Sequence, residues 1–141
     1  MKLFLLSSFL LVSVSAGAAD PTPRSYARRF LGCMKKKDKV CLAGFIPHEV
    51  AFNDPARLDC PIGEKASGKA QPAELIDCVI NPPAATGAVR LRDALIGCFS
   101  PGSKWDAAKK TFRAKNDVVC TVAGPGKKVV SLESIEFPTA P

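Results

Sequence analysis

Residues 22–45, TPRSYARRFLGCMKKKDKVCLAGF, contain two helical patterns joined by a short basic linker. The first begins at Thr22-Pro23, and a hydroxyl residue followed by a proline is typical of a helix start. Apolar side chains then recur at helical spacing, with basic side chains on the other side. The second pattern follows an aspartate that suits the N-cap position. We therefore predict helices over residues 23–36 and 39–45.

Further along the chain the apolar pattern changes from helical to alternating. Residues 72–80 fit one more helix, because a proline opens the segment and three large apolar side chains share one side. Residues 118–122 and 128–132 alternate and are predicted strands, separated by the turn sequence Gly124-Pro125-Gly126. Residues 88–115 fit either a helix or a strand, and the sequence leaves this choice open.

These elements predict an α+β domain, with N-terminal helices followed by a small antiparallel β-meander. The pair Asn116-Asp117 is a typical hairpin turn into the first of the two strands. From Ala94-Leu95-Ile96-Gly97 to Phe137 the chain resembles the layout of bacterial SH3-like modules. It has a hydrophobic entry with glycine, a Pro-Gly turn before a strand, and a tight meander. The resemblance implies an SH3-like arrangement at the C-terminal end.

The first residues have the composition of a secretory signal peptide. A charged start, Met1-Lys2, precedes an apolar run and a stretch of small residues that ends at Ala19. We predict a signal peptide over residues 1–19, one domain over residues 20–138 and a loose tail over residues 139–141. The mature chain is then expected to be secreted or periplasmic, with no transmembrane segment after cleavage.

Six cysteines in such a chain indicate a framework of disulfides. Six cysteines allow 15 pairings, and the sequence alone does not choose among them. We favour the sequential scheme, in which the first bond joins the two N-terminal helices and the last ties residue 98 to a strand. The predicted pairs are Cys33–Cys41, Cys60–Cys78 and Cys98–Cys120.

A metal or redox role for these cysteines has little support. The closest two have seven residues between them, whereas zinc ligands usually lie two to five residues apart. The chain has no C-x-x-C motif, which argues against thioredoxin-like chemistry and c-type haem. We predict no metal site and no cofactor.

Positive charge is concentrated in blocks. The chain has 20 Lys and Arg against 13 Asp and Glu, and residues 24–39 alone hold seven bases and one acid. Such a basic face suits an acidic protein or an anionic glycan of a cell envelope. Nucleic acid is not an expected partner, because the bases are not interleaved with aromatic residues. The candidate binding residues are Arg24, Arg28, Arg29, Lys35, Lys36 and Lys37.

No catalytic motif stands out, so we expect an exported, non-enzymatic binding module, an inhibitor or an adaptor. The alternative is a small exported hydrolase of envelope polymers, in which His48 acts as general base beside Glu49. Against it, neighbouring residues of an extended segment point apart, and no G-x-S-x-G is present. A structural envelope protein without a discrete ligand is a third possibility. Trp105, the one tryptophan, is expected to anchor the core.

Overall fold

The computed structural model describes residues 22–54, 68–82 and 90–138, which form four helices and six strands. The predicted α+β class is confirmed. The predicted signal peptide and the tail over residues 139–141 lie outside the described residues. The helices are α1 (Pro23–Lys35), α2 (Lys39–Phe45), α3 (Pro72–Ile80) and α4 (Leu91–Phe99). The strands are β1 (Val50–Phe52), β2 (Lys69–Ala70), β3 (Lys104–Asp106), β4 (Thr111–Arg113), β5 (Val119–Ala123) and β6 (Ser131–Glu136).

The first two helices begin at the residues that the sequence indicates, because each has a side-chain cap. The Thr22 hydroxyl accepts a hydrogen bond of 3.3 Å from the amide of Ser25, and the Asp38 carboxylate accepts one of 3.0 Å from the amide of Cys41. Each cap satisfies an amide that has no partner inside its helix. Helix α1 ends one residue earlier than predicted, while α2 and α3 have the predicted bounds.

The six strands form one mixed sheet in the order β2-β1-β6-β5-β4-β3. Strands β3 to β6 are the predicted antiparallel meander, with one strand more than the sequence shows. Strand β1 extends the sheet by pairing parallel to β6, and β2 pairs antiparallel to β1. The Asn53 side chain fixes the parallel pair, since it donates to the Phe137 carbonyl at 2.8 Å and accepts from the Phe137 amide at 2.9 Å.

The ambiguous segment over residues 88–115 contains both kinds of element. Its described part is helical in α4, then turns at residues 100–103 and continues as strands β3 and β4. Ala94 to Gly97 thus lie within a helix, and the meander continues into a larger sheet, so the SH3-like detail is not confirmed.

The two predicted strands are present with shifted bounds. Residues 118–122 correspond to β5, which follows the predicted turn, where Asp117 has a φ of 68°. The second strand, β6, begins three residues later than predicted. The chain folds back at Gly124, where a side-chain Cβ would collide with the Lys128 carbonyl. The ladder with β5 therefore starts only at Ser131, opposite Ala123.

The helices and the sheet share one core with a row of aromatic rings through it. Tyr26 and Phe30 of α1 contact Phe99 of α4, with ring centroids 5.7 and 4.6 Å away. Phe99 in turn contacts Phe112 of β4 at 5.3 Å, and Phe112 contacts the half-buried Trp105 at 4.6 Å. Trp105 is therefore an anchor at the edge of the core, as predicted.

Two predicted disulfides are confirmed. Cys33–Cys41 joins α1 to α2, and Cys98–Cys120 joins α4 to β5. Cys78 of α3 is also in a disulfide. Its predicted partner, Cys60, lies outside the described residues, so that pair stays a prediction.

Candidate functional site

The predicted basic residues of α1 fall into two groups with different surroundings. Arg24 is fastened to the turn that follows α4, where its guanidinium donates to the Ser103 carbonyl at 2.7 Å and to the Ser103 hydroxyl at 3.2 Å. A third contact, at 3.4 Å, reaches the Ser100 carbonyl. Arg28 lies one helical turn later on the same side of α1 and is exposed. The structure thus places Arg24 beside the turn that precedes β3, while Arg28 lies with it near Phe99 and Pro101.

The remaining four candidates point elsewhere. The Arg29 guanidinium lies 5.6 Å from the centroid of the Phe45 ring and donates to the Ser25 carbonyl, so it packs against α2. Lys35 is in the last turn of α1, about 16 Å along the helix axis from Arg24. Lys36 and Lys37 follow it and are exposed. Cations at a helix C-terminus are stabilised by the helix dipole, which accounts for Lys35, Lys36 and Lys37 without a ligand.

A further set of cations lies on the meander and was not singled out in the sequence. Lys104 of β3 is the direct cross-strand partner of Arg113 of β4. Both side chains are exposed, and Lys115 follows two residues after Arg113. These three side chains border a cavity of about 280 Å³. Its lining residues are Gly102, Lys104, Arg113, Ala114, Lys115 and Asp117.

The turn over residues 100–103 connects these cations with those of α1. The turn is closed by hydrogen bonds from the Ser103 amide and hydroxyl to the Ser100 carbonyl, at 3.1 and 2.9 Å. On one side of the turn, Ser100 and Ser103 accept the hydrogen bonds from Arg24. On the other side Lys115 lies against it, because a Cβ at Gly102 would be only 3.0 Å from the Lys115 Cε. We call the cations on the two sides of this turn the cationic end, which consists of Arg24 and Arg28 on the side of α1 and of Lys104, Arg113 and Lys115 on the side of the meander.

The two carboxylates near the cationic end do not neutralise it. Asp106 accepts hydrogen bonds from the amides of Ala108 and Lys109, at 3.0 and 3.1 Å, and so caps the β3–β4 turn. Asp117 lies 3.7 Å from Arg113 in an exposed ion pair, and such pairs contribute little. Away from the cationic end, Lys69 forms an ion pair with Glu49. The cationic end therefore carries an excess of positive charge.

A second cavity, of about 430 Å³, is lined by residues of β3, of β4 and of the turn between them. It combines an aromatic side chain with cations, a hydroxyl and a carboxylate. A ligand there can contact both apolar and polar groups. The lining residues are Lys104, Trp105, Asp106, Ala107, Lys109, Thr111 and Arg113.

The residues of the hydrolase alternative lie between α2 and β1 and are not part of the cationic end. His48 is exposed. Glu49 forms an ion pair of 3.4 Å with Lys69 and accepts a hydrogen bond of 3.3 Å from the Gln71 side chain. These contacts fit a role for Glu49 in holding β2 beside β1, and none of them orients His48.

Comparison of the chain with family models, curated proteins and solved structures gives no match. Within the described part of the chain, no group of three or more His, Cys, Asp or Glu side chains is arranged to hold a metal ion. None of the described helices is both long enough and apolar enough to cross a membrane. The cationic end is thus the strongest candidate site that the geometry offers.

Proposed function

We propose that this protein is an exported, non-enzymatic binding module that docks an acidic protein through its cationic end. One observation carries the proposal. Lys104 and Arg113, both positively charged, are direct cross-strand neighbours next to the turn to which Arg24 is hydrogen-bonded. Like charges placed directly across a ladder destabilise a sheet. A negatively charged surface that binds there would offset the repulsion between the two side chains, which gives this costly pair a function.

The rigidity of this end also supports a binding role. The turn over residues 100–103 is closed by its own hydrogen bonds and is tied to α1 through Arg24. The Cys98–Cys120 bond lies just before the turn and joins α4 to the middle of the sheet. A rigid surface loses little conformational entropy when it binds. Disulfides of this kind also suit an oxidising compartment, which supports export.

The proposal is tested with the disulfide-bonded protein on immobilised poly-glutamate, which stands in for an acidic protein surface. One variant carries Arg28→Gln, Lys104→Gln, Arg113→Gln and Lys115→Gln. Its matched control loses four charges at other places, namely at the start of α4 and in the β5–β6 connection. The control substitutions are Arg90→Gln, Arg92→Gln, Lys127→Gln and Lys128→Gln.

We expect the first variant to bind poly-glutamate at least ~10-fold more weakly at low salt, because several exposed ion pairs are lost together. The control is expected to retain most of the affinity. Equal weakening in both variants means that only net charge matters, and this contradicts the proposal. Immobilised dextran sulfate is the second probe. If the site-specific difference occurs on dextran sulfate alone, the partner is an anionic glycan and the proposed protein partner is wrong.

A further inference from the structure

A third cavity, of about 280 Å³, lies between α1 and the segment that follows α4. Its floor is apolar, since Ala27 and Phe99 are buried and Leu31 is half-buried against the core. Two arginines also belong to its lining. The lining residues are Arg24, Ala27, Arg28, Leu31, Phe99 and Pro101.

The guanidinium of Arg24, a residue of this lining, is held in one orientation. Its contacts with Ser100 and Ser103 fix the guanidinium, whose carbon lies 5.7 Å from the centroid of the Phe112 ring. An arginine has five N–H donors, and these contacts engage at most three of them. At least two donors therefore remain for an acceptor from outside.

Arg28 provides the second positive group. It lies four residues after Arg24, and like charges at this spacing repel each other on a helix surface. Within the described part of the chain, no carboxylate pairs with either arginine. An anion bound between the two guanidinium groups relieves this repulsion and forms charge-assisted hydrogen bonds.

We infer that this cavity binds the C-terminal residue of a protein partner, with the carboxylate on Arg24 and Arg28 and an aliphatic side chain on Leu31 and Phe99. The cavity is slightly smaller than those that hold drug-sized ligands, so it suits a single residue. A C-terminal residue carries a carboxylate and an apolar side chain on the same carbon, as this compact site requires. The inference rests on the proposed function and specifies its ligand.

The test uses nuclear magnetic resonance titration of the disulfide-bonded protein with short peptides. The probes are acetyl-Ala-Ala-Leu as the free acid, the same peptide as its amide, and acetyl-Ala-Ala-Ser as the free acid. We expect the leucine acid to bind 10- to 100-fold more tightly than its amide, the range for losing charge-assisted hydrogen bonds. The largest shifts are expected at the amides of Ala27, Leu31 and Phe99.

Two variants separate the parts of the site. Arg28→Gln is expected to remove most of the preference for acid over amide. Leu31→Ser is expected to remove the preference for leucine over serine and to keep that for the acid. Lys128→Gln, outside the site, is the control and should bind like the unmodified protein. The inference is overturned if acid and amide bind equally, or if the shifts cluster at β3 instead.

Octanoate is the last probe, because a free acyl carboxylate has the same chemistry as a leucine C-terminus. If octanoate binds in the cavity more tightly than the leucine peptide, the assignment to a protein C-terminus is wrong. If no peptide binds while capture on poly-glutamate still depends on the cationic end, the inference fails and the proposed function stands. If no peptide binds and capture on poly-glutamate does not depend on the cationic end, the inference and the proposed function both fail.

Discussion

Lys104 lies directly opposite Arg113 in the β3–β4 ladder, so two positive side chains are cross-strand neighbours on exposed strands. We predict that Lys104→Glu raises the free energy of unfolding by about 0.2–1 kcal/mol, because a repulsive pair becomes an attractive one. The same change should weaken binding to poly-glutamate, since it reverses a charge of the cationic end. Urea denaturation and capture on poly-glutamate measure the two effects.

Lys128→Glu is the matched control, because Lys128 is an exposed lysine in the β5–β6 connection. It introduces the same charge change without a cross-strand arginine. It should alter neither stability nor capture by a comparable amount. A Lys104→Glu variant that is both less stable and binds as well as the unmodified protein contradicts the prediction.

Arg24 is expected to stabilise the fold as well as to contribute to binding. Its guanidinium joins the first turn of α1 to the backbone at Ser100 and Ser103. Arg24→Gln should lower the free energy of unfolding by about 1–2 kcal/mol, since hydrogen bonds from a charged donor are lost. Arg28→Gln, on the same side of the helix, should change it by less than about 0.5 kcal/mol. Urea denaturation of both variants measures the difference, and equal values contradict this role.

Tyr26 makes stability sensitive to alkaline pH. Burial raises the pKa of its hydroxyl above the ordinary value of 10.0, and the nearby Glu133 carboxylate adds to the shift. The neutral hydroxyl donates to the Phe45 carbonyl at 2.8 Å. Above pH 10 the unfolded chain loses this proton while the folded chain keeps it, so stability falls by up to about 1.4 kcal/mol per pH unit.

The measurement compares the unmodified protein with Tyr26→Phe at several pH values from 8 to 12. The variant should be less stable at pH 8 by about 1–3 kcal/mol, because the Phe45 carbonyl loses its partner. Its stability should then decline less steeply above pH 10. Since the chain has a single tyrosine, tyrosinate absorbance reports Tyr26 alone. Ionisation near pH 10 in the folded protein would contradict the raised pKa.

The helices could be predicted closely because their signals are local. Thr22 and Asp38 cap helices through contacts with residues three positions ahead. Both confirmed disulfides also agree with the sequential scheme, in which partners are neighbours in the cysteine order. In contrast, β1 has only three residues and pairs with a strand more than 80 residues later, to which Asn53 links it. No local pattern reports such a pair.

The candidate site was predicted only in part, for a related reason. The basic content of residues 24–37 is visible in the sequence, and two of the six candidate cations there belong to the cationic end. The other cations at this end are Lys104, Arg113 and Lys115. Their proximity can be recognised only when residues 104–106 and 111–113 are known to be paired strands. In the sequence, Ser103 is followed three residues later by Asp106, and this spacing is also typical of a helix start, which competes with the strand. The strand forms because Trp105 packs on Phe112 in the edge of the core.

The two described disulfides should differ in their effect on stability. In the chain-entropy model, closing the loop of Cys33–Cys41, with a sequence separation of 8, contributes about 2.5 kcal/mol. Cys98–Cys120, with a separation of 22, contributes about 3.4 kcal/mol. Cys98 and Cys120 are also fully buried, whereas Cys41 is half-buried. We call Cys98–Cys120 the inner disulfide and Cys33–Cys41 the outer disulfide. Replacing the inner pair of cysteines by alanine therefore leaves a cavity in the core as well as a less constrained unfolded chain.

We predict that Cys98→Ala/Cys120→Ala lowers the free energy of unfolding more than Cys33→Ala/Cys41→Ala, by at least about 1 kcal/mol. The inner bond also holds α4 against β5 just before the turn of the cationic end. The Cys98→Ala/Cys120→Ala variant should thus no longer bind poly-glutamate under conditions where the Cys33→Ala/Cys41→Ala variant still binds it. Urea denaturation and capture at a temperature where both variants are folded provide the comparison. Equal losses of stability and of capture would mean that the turn does not depend on this bond.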